Sequence, residues 1–89
     1  MTMEELVSKY IQNTGRVLAE IIVPQGSIRI SEGEIRGIME TAQRYLEDAK
    51  YYQDKSKLET SLASVAYCEG LLDALRLLGV VKFSWEAKR

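Results

Sequence analysis

The side chains best equipped for chemistry in this chain are Glu69, Asp73 and Arg76, with Tyr67 close before them. On a helix, Glu69 and Asp73 stand one turn apart on one face, a spacing at which two carboxylates can share a divalent cation. Arg76 in the following turn adds a forked donor suited to a carboxylate or phosphate. Together the four suit a small-molecule or nucleotide-handling site. The competing reading is an ion network closed among the side chains themselves. Metal-dependent all-α nucleotide pyrophosphatases use two acidic pairs on two helices at closer spacing, and this chain offers one pair. Neither a metal nor a cofactor is therefore expected.

The chain contains no histidine and a single cysteine, Cys68. Without histidine the common zinc sites and the Ser-His and Cys-His nucleophile pairs are ruled out. Cys68 lacks a base, reads as a small buried hydrophobe, and cannot form an internal disulfide. A helical chorismate-mutase-like enzyme would suit the length, but it needs arginines aimed into one pocket, whereas Arg36 and Arg44 fall on an outward face. No catalytic residue is assigned, and the balance lies against an enzyme.

These residues need a scaffold. Eighty-nine residues suffice for a single helical domain with one modest core. The net charge of −1, with both signs interspersed, gives no general attraction to nucleic acid or to an anionic membrane. The first twenty residues carry charges throughout, unlike a signal peptide, and no apolar run approaches a bilayer span. A cytoplasmic protein with no nucleic-acid or membrane partner is the expectation.

Three helices are predicted, at about 3–23, 32–54 and 57–78, followed by a tail over 80–89. In the first, Leu6, Val7, Tyr10, Ile11, Val17, Leu18, Ile21 and Ile22 make one broad apolar face. Glu5–Lys9 has the favourable i,i+4 order, and Pro24 ends the helix. Ser31 with Glu34 predicts a capping box at the second helix, whose stripe runs from Ile35 to Tyr52. Ser56 with Glu59 predicts the same device at the third, and Gly79 predicts its left-handed stop.

On the third helix Leu58, Leu62 and Val65 read as a core stripe that continues into Glu69, Asp73 and Arg76. Asp73 is accordingly expected to be partly buried and hydrogen-bonded, and Leu46 and Leu62 to be largely buried. Similar lengths and short connections predict an all-α, antiparallel up-down-up three-helix bundle. Gly70, inside a helix rich in small residues, points to close approach by another helix, from this chain or a second copy. In the tail, Val81, Phe83 and Trp85 alternate. They suit either an extended cap on the bundle end or a partner-docking segment, with Lys82, Lys88 and Arg89 as its polar surround.

The run from Tyr45 to Val80 resembles a family of small archaeal proteins known as domain of unknown function 357. The residues that carry the likeness are Tyr45, Asp48, Ala49, Tyr51 and Tyr52, then Tyr67, Gly70, Leu72, Asp73, Ala74, Leu78 and Gly79. The resemblance implies a compact three-helix fold and brings no mechanism. The function expected from the residues is a non-catalytic helical protein-interaction module or small homo-oligomeric adaptor. The alternative is a ligand-handling protein that uses Tyr67, Glu69, Asp73 and Arg76.

Overall fold

The structure, a computed structural model, describes residues 1–86. It contains three helices, α1 (Met3–Glu20), α2 (Glu32–Asp54) and α3 (Leu58–Leu77). The all-α class holds, with each helix close to its expected position.

Local signals explain most of the boundaries. At α1 the Thr2 hydroxyl accepts the Glu5 amide at 3.1 Å and donates to the Glu5 carboxylate. Glu5 thus folds back onto the cap, and the expected Glu5–Lys9 pair is not among the ion pairs of the described residues. α1 stops at Glu20, three residues before the predicted Val23, with Ile21 extended at ψ 136°. Ile21, Ile22 and Val23 are β-branched and precede a proline, so each is a weak helix former. The Ser31–Glu34 capping box forms in both directions, at 3.1 and 3.0 Å.

The second capping box does not form. Ser56 takes a left-handed φ of 60°, and Lys57 precedes α3 with no side-chain cap. The Ser56 amide donates to Gln53 O and the Lys57 amide to Tyr52 O, at 3.0 and 2.9 Å. That pattern is a Schellman stop, so the end of α2 claims Ser56 before α3 can use it. Gly79, with φ 77°, closes α3 through the same pair of bonds, from Gly79 to Arg76 O and from Val80 to Leu75 O.

α2 and α3 pack against each other as an antiparallel hairpin. Tyr45 stacks on Tyr67 with ring centroids 4.4 Å apart, and the Ser61 hydroxyl donates to Ala49 O at 2.7 Å. Ala42, Ala49, Cys68 and Leu75 are buried at the seam, with Leu46 and Val65 half-buried beside them. Small side chains let the backbones come close enough for the Ser61 bond. Two expectations are corrected here: Leu58 and Leu62 are exposed, and the buried face of α3 runs through Ser61, Ser64, Cys68 and Leu75. The cause is that α3 carries apolar residues on more than one side, so its period alone does not pick the inner one.

α1 lies apart. It packs against neither α2 nor α3, and no residue in it is buried. The molecule is correspondingly open, with a Cα radius of gyration of 16.2 Å, where a compact chain of this length has about 12 Å. The third-helix packing of an up-down-up bundle is thus not made within one chain. Eleven residues, 21–31, separate α1 from α2, and they hold Pro24 and a left-handed Gly26 with φ 103°.

Candidate functional site

Around Asp73 the polar face of α3 meets the C-terminal segment. Asp73 projects from about the last turn of α3, four residues before its end, and Gly79 reverses the chain so that the tail returns over that flank. Asp73 Oδ1 accepts the Trp85 indole N–H at 2.9 Å, and Arg76 Nη2 and Nε at 3.1 and 3.2 Å. The Arg76 guanidinium lies 5.9 Å from the centre of the Phe83 ring. Phe83 and Trp85 meet edge to face with centroids 4.9 Å apart. Four of the residues singled out from the sequence, Asp73, Arg76, Phe83 and Trp85, therefore form one cluster.

The indole donor is the largest influence and holds the Asp73 carboxyl below its ordinary value; desolvation opposes it, and the Arg76 hydrogen bonds and charge add to the lowering. Both partners favour the charged form. The Asp73–Arg76 pair sits half-exposed, where ion pairs alone contribute little. The indole bond adds geometry, since it fixes the position of an aromatic arm on a helix.

Tyr67 and Glu69 do not join the cluster. Tyr67 stacks on Tyr45 across the hairpin seam and borders a shallow depression with Gly70 and Leu71. Glu69 is exposed, and its charge, after burial, helps to push the Cys68 thiol up. Cys68 is thus a buried, protonated thiol at the seam. Lys88 and Arg89, expected to surround the tail, lie outside the described residues.

The second feature with binding capacity is apolar. On α1, Val7, Tyr10, Ile11, Val17 and Leu18 are all exposed, and Tyr10, Ile11, Thr14, Gly15 and Leu18 line a shallow depression. No described helix is long and apolar enough to cross a membrane.

The family whose description reads "Protein of unknown function (DUF357)" matches residues 9–81, most of the chain. The chain belongs to the DUF357 family. The DUF357 match takes in α2, α3 and most of α1, extending well beyond the C-terminal residues that first suggested the likeness. Asp73 and Arg76 fall inside the DUF357 segment, whereas Phe83 and Trp85 lie beyond it. No curated protein and no solved structure matches the chain.

Proposed function

We propose that this DUF357 protein is a non-catalytic, cytoplasmic helical interaction module whose binding element is the apolar face of α1. The observation that carries the reading is an 18-residue amphipathic helix with no buried residue. Soluble monomers seldom leave a contiguous apolar face of that extent in water, and such faces mark interaction sites. An amphipathic helix seated by anchors at i, i+3, i+4 and i+7 is a common mode of protein recognition; Val7, Tyr10 and Ile11 take the first three places, and Leu18 follows seven residues after Ile11 on the same face.

The Asp73 cluster supports the same reading from the other direction. Asp73 Oδ1 is taken up by Trp85 and Arg76 of the same chain, so Asp73 and Arg76 position the aromatic arm. The test compares the parent chain with the Ile11→Asp, Leu18→Asp double variant. The parent should associate with protein, whether a partner or its own copies, with slowed α1 amide exchange. The variant should lose that association while its unfolding temperature stays unchanged. Equal association by both chains would overturn the reading.

A further inference from the structure

We propose that the occupant of the α1 face is a second copy of this chain, with each copy seating its α1 in a groove on the partner's α2–α3 hairpin. The proposal rests on the interaction-module reading and names its partner.

The first argument is area. The chain exposes 8062 Å², whereas a compact monomer of its mass exposes about 5,300 Å². The excess of about 2,800 Å² per chain, about 5,600 Å² for two, reaches the upper end of what obligate homodimers hide, roughly 2,000–5,000 Å² or more in total. In a single chain that surface stays open, because α1 stands clear of its own hairpin.

The second argument is where the surplus apolar surface lies. On α3, Ala63, Tyr67, Gly70 and Ala74, with Leu78 at its C-cap, recur at helical spacing on the flank away from Asp73, and all five are exposed. The Tyr45–Tyr67 stack joins this flank to α2, where Ile38 is also exposed. The aromatic arm leaves the flank free, because it binds through Asp73 on the other side. A groove floored by small residues and walled by Tyr67 and Leu78 fits an incoming helix.

The third argument is two interior helical glycines that border apolar depressions; Gly37 on α2 has the same open space over it. Gly15 on α1 and Gly70 on α3 each have nothing within 4 Å of an added Cβ. An exposed helical glycine with free space over it sacrifices helix propensity with no return inside one chain. Both lie in apolar depressions, beside Ile11 and Leu18 in one case and Tyr67 and Leu71 in the other. Crossing α1 over α3 at these two points gives both glycines a purpose. Reciprocal exchange of α1 makes the contact isologous, so it closes as a two-fold dimer and does not run on into a fibre.

Sedimentation equilibrium of the full chain tests the proposal, with amide exchange on the same samples. The expected mass is twice 10.1 kDa, with α1 amides slowed as the dimer forms. Leu18→Asp spoils α1, and Gly70→Leu fills the groove where there is room for it. Each alone should stay folded and raise the dimer dissociation constant by at least about tenfold. Mixed together they should dimerise more tightly than either variant alone though less tightly than the parent, because one of the two contacts then joins an intact α1 to an intact groove. A Gly70→Leu chain that dimerises like the parent would overturn the groove and point to α1 pairing with α1. A monomer with fast α1 exchange would overturn the second copy and leave the interaction module standing. A monomer with slow α1 exchange would mean α1 folds onto its own hairpin, and both readings would fall.

Discussion

Asp73 Oδ1 receives three N–H groups, and its acidity follows from them. A carboxyl held below its unfolded value contributes stability that is present above the unfolded pKa and lost as pH falls through the folded one. Trp85 is the only tryptophan, so its fluorescence reports this contact directly. Acid titration should shift its emission with a midpoint below the ordinary aspartate value, and Asp73→Asn should abolish that step. A step that survives in the variant would assign it to another group. The caps give a second contrast. Ser31→Ala should cost about 0.5–2 kcal/mol in chemical denaturation, because the Glu34 amide loses its acceptor. Ser56→Gly should instead stabilise by up to about 1 kcal/mol, since glycine accepts the left-handed φ of 60° freely. Both serines precede a glutamate at the same spacing and both read as caps, but only Ser31 forms one. The difference lies upstream: an irregular connector leads into Ser31, whereas Ser56 follows a helix that needs a stop. The Asp73–Trp85 bond was less legible still. It links residues twelve apart, and only the path of the tail after Gly79 brings them together.

At the scale of the element, α3 explains why the hydrophobic pattern located the helix and missed its inner face. Leucines lie on several sides of it, and the buried side is marked by small residues, Ser61, Ser64 and Cys68, as much as by Leu75. Close approach of α2 selects that side, since Ala42 and Ala49 meet it there. A stripe of large residues at Leu58 and Leu62 would have held the helices apart. Truncation separates the two faces. Leu75→Ala, at a position 2% exposed, should cost about 2–5 kcal/mol. Leu62→Ala, at a position 68% exposed, should stay within about 0.5 kcal/mol in a dilute, dissociated chain. Equal losses would mean that a further element covers Leu62. On α2 the stripe was legible at its centre, where Ala42, Tyr45, Leu46 and Ala49 turn toward α3, and less so at Ile38 and Met39, which stay exposed.

The whole molecule divides into a hairpin that holds itself and a helix that does not. Every buried side chain belongs to α2 or α3 among the described residues, and the long-range packing between helices joins those two alone. Sequence pattern told that α1 has a face to bury, but pattern is silent on whose surface receives it. An amphipathic face looks the same whether it meets its own chain or another. Isolated helices of about 18 residues are marginal in water, so α1 depends on its neighbours for persistence. Local stability should therefore be uneven in dilute solution. Native-state amide exchange should be slowest around Ala42, Ala49, Cys68 and Leu75, and should approach global unfolding there. Amides from Leu6 to Glu20 should exchange far faster and through local opening, with little dependence on denaturant. Raising the concentration should slow α1 selectively if its face finds a partner in solution, while the hairpin changes less. Uniform protection of all three helices at the lowest concentration would mean that α1 shares one cooperative unit with the hairpin, and the division drawn here would fail.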